Sequence, residues 1–257
     1  MPDAAPLPVL IVGDVHGDLE RLFSGLKPYP PDRWRTIFLG DLVDGGPFGV
    51  GALRYARDRP NSTVLLGNHE VMMLAALQDR AERGSQLHAW LGAGGQPHDL
   101  EELARDPVLP DWLRGRPAMR MLEDGTLVQH CDSDELGALV PADSLDTVEA
   151  VNREVARLVA AGDLRPLIDR MTSRGVFRRQ KLRLESWLGR TGAARVVHGH
   201  TPHRNQQPDV YAGGLAICYD GGMGRWGRPG AFRGGSIRGS VGPLPRSDQP
   251  ASMPSAR

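Results

Sequence analysis

Short unbroken runs of apolar residues recur along the chain, and each run ends in a polar side chain. Apolar runs of this length are typical of β-strands that are buried on both faces of a sheet. The pattern therefore predicts five strands, which end at Asp14 in PVLIVGD, Asp41 in TIFLGD, Asn68 in TVLLGN, His130 in TLVQH and His200 in ARVVHGH.

Segments with helical character lie between these runs. Strand, loop and helix alternate in this way in α/β proteins, where helices cover the faces of the sheets. We therefore predict an α/β fold whose polar strand ends lie where such sheets usually bind ligands. The predicted helices are Asp18 to Leu26, Phe48 to Asp58, Val71 to Arg83, Leu145 to Ala161 and Phe177 to Leu188.

The chain of 257 residues is long enough for one large domain, which we predict over residues 1–228. Within that domain, residues 84–116 interrupt the strand and helix alternation and are predicted to form an accessory helical insertion. Residues 229–257 are rich in glycine, proline and serine and contain few large apolar side chains. Such a segment buries too little surface to offset its ordering entropy, so we predict a flexible C-terminal tail.

Charge and composition narrow the choice of partners and compartment. The formal net charge of zero gives no indication of nucleic-acid or membrane partners. No apolar run is long enough to cross a membrane, and the N-terminus lacks the basic segment of a signal peptide. Two cysteines, Cys131 and Cys218, do not form a disulfide framework. We therefore predict a cytoplasmic protein, whose oligomeric state the composition does not indicate.

The polar groups at the strand ends are of one chemical kind. Any one of them alone is more typical of a turn or of a satisfied histidine than of a ligand. Together, carboxylate and amide oxygens mixed with imidazoles suit a divalent transition metal, with manganese first and iron or zinc as alternatives. Two ions about 3.5–4 Å apart need a shared ligand, which a carboxylate can supply. The set allows three groups on one ion and four on the other, with one acid in common.

Five motifs in order resemble those of the calcineurin-like metallophosphoesterases: GDVHGD, GDLVDGGP, GNHE, a strand-end His130 and HGHTP. The resemblance extends from Val9 to about Arg225, and five ordered motifs are a much stronger signal than one. The segments GNHE, WLGAGG and ICYDGGMGR are most similar to the bacterial serine/threonine phosphoprotein phosphatases. The resemblance implies a four-layer αββα sandwich, in which two mixed sheets face each other with helices outside.

The resemblance also implies a role for each matching side chain at the metals. Asp41 would bridge two divalent ions, and the remaining ligands would divide between them. The first ion would be held by Asp14, His16 and Asp41, and the second by Asp41, Asn68, His130 and His200.

The same resemblance assigns the proton transfer. His69 would act as the general acid beside the leaving-group oxygen, oriented by Asp44. Glu70 would begin the following helix, where an acid favours the positive end of the helix dipole. Two cations would lower the pKa of bound water so that a metal-bound hydroxide attacks phosphorus in line. Acid catalysis of the departing oxygen is typically worth about a hundred- to ten-thousand-fold.

Two arginine positions bear on the substrate. The phosphoprotein branch usually has an arginine on the phosphate in its second motif, and Gly45 replaces it here. Arginine binds phosphate with two parallel donors, which no other side chain imitates easily. Arg174 resembles a second phosphate-binding arginine of the family and is predicted to bind substrate, although it also lies in a basic run typical of a solvated surface.

Other positions near the motifs depart from the family pattern. The fourth motif continues as HCD instead of HAG, and Cys131 is interpreted as a small buried apolar residue. His198 and His203 flank the fifth motif without matching the spacing of a second ligand histidine, so neither is included among the ligands.

Three functions are consistent with these motifs. The leading prediction is a two-metal phosphatase that hydrolyses phosphomonoesters, as a serine/threonine protein phosphatase does. The alternative enzyme is a nucleotide or dinucleoside-polyphosphate hydrolase, which shares all five motifs and is favoured by the missing arginine. A metal-binding regulatory protein without activity is disfavoured, because every predicted ligand and the proton donor are present.

Overall fold

The computed structural model describes residues 6–81, 84–224 and 235–245. Its strands are β1 (Val9–Val12), β2 (Arg35–Phe38), β3 (Ser62–Val64), β4 (Met119–Met121), β5 (Thr126–Gln129), β6 (Arg195–His198), β7 (Asp209–Tyr211), β8 (Ala216–Cys218) and β9 (Val241–Pro243). Its α-helices are α1 (Leu19–Leu26), α2 (Gly49–Asp58), α3 (Asn68–Asp79), α4 (Ser85–Ala93), α5 (Pro97–Arg105), α6 (Leu109–Arg114), α7 (Thr147–Ala161), α8 (Arg165–Met171), α9 (Val176–Arg179), α10 (Lys181–Thr191) and α11 (Ile237–Ser240). Short 3₁₀ turns lie at Glu135–Leu139 and Ala212–Gly214.

The strands form two mixed sheets. The first has the order β3-β2-β1-β9, in which β1, β2 and β3 are parallel and β9 runs antiparallel to β1. The second has the order β4-β5-β6-β8-β7, in which β5, β6 and β8 are parallel and the two edge strands are antiparallel. The carboxyl ends of the parallel strands in each sheet lie at one edge, which is where such sheets usually bind ligands.

Successive side chains on a strand point to opposite faces of its sheet. One face of each sheet packs against the other sheet. Ile11 and Ile37 of the first sheet belong to one buried cluster with Val128 and Val197 of the second sheet. Their neighbours along the strands, among them Leu10, Phe38, Leu127 and Val196, belong to a second, larger cluster that includes residues of the helices. This arrangement confirms the predicted α/β fold of two mixed sheets flanked by helices.

The five predicted strands are present as β1, β2, β3, β5 and β6, and the predicted helices are present within a few residues. One helix begins earlier than predicted, because Asn68 and His69 form the first turn of α3 instead of preceding it. The helix predicted over Phe177 to Leu188 is divided at Gln180 into α9 and α10. The predicted helix end at Arg83 lies outside the described residues.

The segment predicted as a helical insertion forms α4, α5 and α6 in its described part. It is fastened to the main domain by a buried carboxylate, since Asp99 Oδ1 accepts the N–H of Val50 at 3.0 Å in the first turn of α2. Gly49 allows this approach, because a Cβ there would lie 2.3 Å from the Asp99 carboxylate.

The predicted boundary between domain and tail at residue 228 is corrected by the structure. Residues 235–245, which lie within the predicted flexible tail, contain α11 and β9. The strand pairs with β1 through Leu10 opposite Pro243, and Ser240 accepts the N–H of Gly13 at 2.8 Å. The composition does not indicate β9, because a three-residue edge strand that is held by backbone hydrogen bonds to its neighbour needs few apolar side chains. Residues 229–234 and 246–257 of the predicted tail lie outside the described residues.

In the described part of the chain, no helix combines the length and the apolar character needed to cross a membrane. Cys131 and Cys218 are both buried and free, in agreement with the expectation of no disulfide framework. The cytoplasmic location stays a prediction.

Candidate metal centre

The predicted metal ligands and acid pair follow the C-terminal ends of five strands, β1, β2 and β3 in one sheet and β5 and β6 in the other. Asn68 and His69 lie in the first turn of α3, and the others lie in loops. All are buried, with at most 8% of any residue exposed. The facing sheets therefore bring together every side chain that the sequence predicted as a ligand or as part of the acid pair: Asp14, His16, Asp41, Asp44, Asn68, His69, His130 and His200.

The backbone at this centre is held in an uncommon conformation. His16, Asp41, Asp44 and His200 have positive φ angles of 51°, 52°, 67° and 66°. Left-handed backbone at a non-glycine residue costs on the order of 1–3 kcal/mol and persists only where the surroundings impose it. Here the β1 and β2 loops bond to each other, since Val15 and His16 both donate N–H groups to the Asp41 carbonyl at 2.9 Å.

The first group of candidate ligands surrounds His16. Its Nε2 lies 3.8 Å from Asp14 Oδ2 and 4.0 Å from Asp41 Oδ2. Its Nδ1 lies 3.2 Å from the Val43 carbonyl, which directs Nε2 towards the carboxylates. Atoms about 2.1 Å from one cation are separated by distances of this size, so the three side chains can share an ion.

The second group surrounds His130. Its Nε2 lies 3.0 Å from Asn68 Oδ1, 3.2 Å from His200 Nδ1 and 3.3 Å from Asp41 Oδ1. Its Nδ1 lies 3.0 Å from the Leu39 carbonyl, which fixes the orientation of the ring. Asp41 thus presents one oxygen to each group.

Unpartnered buried atoms show that these residues fit a pair of cations. Asp14 Oδ2 and Asp41 Oδ2 are buried without a hydrogen-bond partner among the described residues. Burial, followed by the charges of Asp220 and Asp41, raises the pKa of Asp14 well above its usual range. Isolated buried carboxylates are costly, and a cation would compensate them. Asp41 belongs to two of the triads whose candidate ligand atoms lie within 4.8 Å of one another.

His69 and Asp44 form a buried pair beside these ligands. His69 Nδ1 lies 2.7 Å from Asp44 Oδ2, and His69 Nε2 lies 3.9 Å from Asp41 Oδ2. Burial disfavours the charged ring, but the carboxylates of Asp41 and Asp44 outweigh it and raise the pKa of His69 to about 9. Asp44 therefore occupies one ring nitrogen of His69, while the other faces the carboxylate of Asp41.

Glu70 has a role that the sequence reasoning missed. Its Oε2 accepts the N–H groups of Asp41 at 2.7 Å and Gly67 at 2.8 Å, and its Oε1 accepts those of Leu42 at 2.7 Å and Val43 at 3.4 Å. The buried carboxylate thus ties the β2 and β3 loops together in addition to lying in the first turn of α3. The three-residue spacing from Gly67 to Glu70 is the available sequence signal, since it matches a helix-capping pattern.

Arg174 is exposed, and burial, followed by the charges of His130 and Arg174, lowers the pKa of His200 well below its usual range. Asp132, in the HCD departure, holds this segment: its Oδ1 accepts the N–H of Gly175 and the hydroxyl of Thr201, both at 2.9 Å. The structure is therefore compatible with the predicted substrate-binding role of Arg174, which stays a prediction.

Residues excluded from the ligand set have other partners. His198 Nε2 lies 2.7 Å from the Tyr211 hydroxyl, and His203 Nε2 lies 3.1 Å from the Cys218 carbonyl. Cys131 is near His130 and His200, but its thiol donates to the Met171 carbonyl at 3.0 Å, and burial raises its pKa well above the usual range. These contacts favour structural roles for all three.

Comparison with known proteins identifies the class that this fold and site define. The family model of the calcineurin-like phosphoesterases matches residues 7–204. The chain belongs to that family, which confirms the predicted resemblance and its assignment to a family of phosphoesterases.

Individual relatives give a finer comparison. The chain is 31% identical over 157 residues to a symmetrical bis(5'-nucleosyl)-tetraphosphatase of Methylobacillus flagellatus, covering 59% of this chain and 50% of the relative. A protein of the same name from Methylococcus capsulatus is 30% identical over 166 residues, covering 61% of this chain and 52% of that relative. The chain thus spans about half the length of these relatives.

Among solved structures, a cold-active protein tyrosine phosphatase superposes with a TM-score of 0.64 and 18% identity, over 95% of this chain and 81% of that chain. A likeness at this identity shows the fold alone. The names of the two relatives fit the alternative, a nucleotide or dinucleoside-polyphosphate hydrolase, better than the leading prediction of a protein phosphatase.

Proposed function

We propose that this chain is a two-metal hydrolase that cleaves a dinucleoside polyphosphate into two nucleotides. The observation that carries the chemistry is the position of Asp41, whose oxygens lie in both candidate ligand groups, with His69 Nε2 3.9 Å away. The substrate class is supported by two relatives named as symmetrical tetraphosphatases, at 31% and 30% identity.

In this proposal the ligands divide as the geometry groups them. Asp14, His16 and Asp41 would hold one ion, and Asp41, Asn68, His130 and His200 would hold the other. Two divalent cations supply positive charge for the phosphoryl oxygens and make hydroxide available from water near neutral pH. Manganese is proposed first, with iron or zinc as alternatives, because an oxygen and imidazole site accepts all three.

His69 supplies the proton in the proposed step. Water gives up a proton to the solvent as its oxygen forms a bond to phosphorus, the bond from phosphorus to the bridging oxygen breaks, and His69 Nε2 donates a proton to the departing oxygen. Asp44 stabilises the protonated form of the imidazole, because its Oδ2 lies 2.7 Å from His69 Nδ1. Proton donation matters most where the departing group is a strong base.

The local structure around Gly45 supports a nucleotide substrate over a phosphoprotein. Gly45 has a φ of 79°, and its N–H donates to the Gly94 carbonyl of the insertion at 3.0 Å. Because residue 45 is a glycine, no arginine side chain binds a phosphoryl group from this position. The bond to Gly94 places the insertion against this side of the centre. Arg174 is proposed to bind a phosphate of the polyphosphate chain, since arginine matches phosphate with two donors.

A substrate panel tests this proposal directly. The purified chain is incubated with added manganese and bis(5'-adenosyl) tetraphosphate, a phosphoserine peptide, a nucleoside monophosphate or a phosphodiester, and products are separated by chromatography. We expect the highest kcat/KM on the tetraphosphate, with adenosine diphosphate as the sole product of symmetrical cleavage. A higher kcat/KM on the phosphopeptide would restore the protein phosphatase assignment.

Metal content is measured on the same preparation. We expect about two equivalents of transition metal per chain and an activity on an aryl phosphate that is lost on chelation and restored by manganese. Full activity of a metal-free preparation would contradict the two-metal chemistry for every substrate.

A further inference from the structure

The WLGAGG segment of the insertion has no role in the chemistry described so far, yet it contacts the acid pair. Trp90, on α4, is completely buried. Its indole Nε1–H lies 2.9 Å from both Asp44 Oδ1 and Asp44 Oδ2. The insertion therefore reaches the carboxylate that holds His69, and it does so with a neutral donor.

Two glycines of the segment make this contact possible. Gly94 ends α4 with a φ of 110°, and its carbonyl accepts the N–H of Gly45, the residue after Asp44. Gly95 lies against the indole, where a Cβ would come within 2.2 Å of the ring. The segment thus holds the Asp44–Gly45 turn by a backbone bond and by a side-chain bond.

The indole bonds restrict the Asp44 carboxylate. Among the described residues, the side chains that bond to the Asp44 carboxylate are those of Trp90 and His69. A carboxylate with one partner can rotate about its Cβ–Cγ bond, whereas a second donor that bonds to both of its oxygens restricts that rotation. The restricted carboxylate directs Oδ2 to His69 Nδ1 and so directs Nε2 to the centre.

We propose that Trp90 is a positioning residue that orients the His69–Asp44 pair for proton delivery. The inference rests on the proposed function only in assigning His69 as the proton donor. It predicts that the indole N–H, separately from the packing of the ring, affects catalysis, and that the effect depends on the leaving group. The ring itself also lines a surface cavity of about 590 Å³ with Leu87 and Leu100, which is a packing role.

The first test separates the N–H from the ring. Trp90→Phe keeps an aromatic side chain but removes the donor, and kcat is measured on phenyl phosphate and on dinitrophenyl phosphate with added manganese. We expect kcat to fall about tenfold on phenyl phosphate, whose leaving group needs a proton, and less than about threefold on the dinitrophenyl ester. Trp112→Phe, the same substitution on α6 of the insertion, serves as the matched control and should leave both rates unchanged.

A double-mutant cycle shows whether Trp90 acts through Asp44. In an Asp44→Asn background, Trp90→Phe should have no further effect on phenyl phosphate hydrolysis. Two results would mean that Trp90 only supports the fold and would overturn the proposal. One is that Trp90→Phe lowers kcat by the same factor in the wild-type and Asp44→Asn backgrounds. The other is that it lowers kcat equally on the two esters.

A readout without catalysis completes the test. In ¹⁵N-tryptophan-labelled, metal-free protein, the Trp90 indole N–H resonance is identified by its absence in Trp90→Phe. Asp44→Asn should shift that resonance and leave the Trp112 resonance in place; an unshifted Trp90 resonance would overturn the proposal. A wild-type protein that hydrolyses none of the phosphates would refute the proposed function instead, and the resonance test would still decide whether the Trp90–Asp44 bond exists.

Discussion

The loops of the two sheets contribute to the centre in different ways. The loops of the first sheet carry the carboxylates and the acid pair, and Glu70 fastens them by accepting four backbone N–H groups. The loops of the second sheet carry His130 and His200, and nearby Asp132 accepts one backbone N–H and one hydroxyl. The difference indicates that the loops of the first sheet hold the proposed acid pair rigidly. The loops of the second sheet complete the proposed ligand set and position the segment of Arg174, which is proposed to bind substrate.

Asp41 is the residue that joins the two halves, and its substitution should have the largest effect. Asp41→Asn retains the shape of the side chain but removes the charge that both ions would share. We expect both equivalents of metal to be lost and kcat to fall about a thousandfold or more, since each cation supplies several kcal/mol to the transition state. Metal analysis of the purified variant is the deciding measurement, and loss of a single equivalent would show that Asp41 does not bridge.

His69 tests the chemistry of the first half without disturbing the ligands. His69→Asn should lower kcat about a hundredfold on substrates with poor leaving groups, because general acid catalysis is removed, while metal content stays at the wild-type value. Rates across a series of aryl phosphates measure this effect. His88→Asn, on an exposed histidine of α4, is the matched control and should change neither quantity. An equal loss on good and poor leaving groups would contradict the assignment of His69 as the acid.

Glu70 tests the rigidity of the first half. Glu70→Gln replaces one accepting oxygen by an amide that faces backbone donors, so buried N–H groups lose their partner. We expect the free energy of unfolding to fall by about 2–3 kcal/mol, measured as the denaturant midpoint of the metal-free protein. Glu101→Gln, on an exposed glutamate that pairs with Arg105, should change it by less than about 0.5 kcal/mol. A Glu70 variant as stable as that control would contradict the fastening role.

Asp132 tests the second half, where a smaller effect is expected. Asp132→Ala releases Gly175 and Thr201, and with them the segment that carries Arg174. We expect KM to rise about tenfold with little change in kcat, which is the signature of lost binding that is equal in ground and transition states. Arg174→Ala should give the same rise, and the double variant no more than either. A fall in kcat at constant KM would place Asp132 in the chemistry instead.

Much of this site can be predicted from the sequence because its ligands come directly after buried strands. The apolar runs that end at Asp14, Asp41 and Asn68 define both the strands and their loops, and parallel strands bring such loops to one edge. The assignment of ligands needed the family motifs as well, since periodicity alone does not show that β5 and β6 belong to a facing sheet.

Other features could not be predicted because they depend on long-range contacts. Trp90 meets Asp44 from 46 residues away, and Glu70 meets Leu42 from 28 residues away, so neither bond leaves a local pattern. The strand β9 could not be predicted for the same reason. A three-residue strand among glycine and proline is identified only by its pairing with β1. Local composition indicates which segments are buried, but it does not indicate which strands pair with each other.

The pairing of β9 with β1 has a consequence for how the protein is made. The strand that ends at Val12 leaves the ribosome well before its antiparallel partner, which begins at Val241. Until that late segment is synthesised, the strand leading to Asp14 has an open edge, and the backbone N–H of Gly13 lacks its acceptor at Ser240. A nascent chain can therefore close this edge of the sheet, beside the loop that carries Asp14, only after β9 has been synthesised.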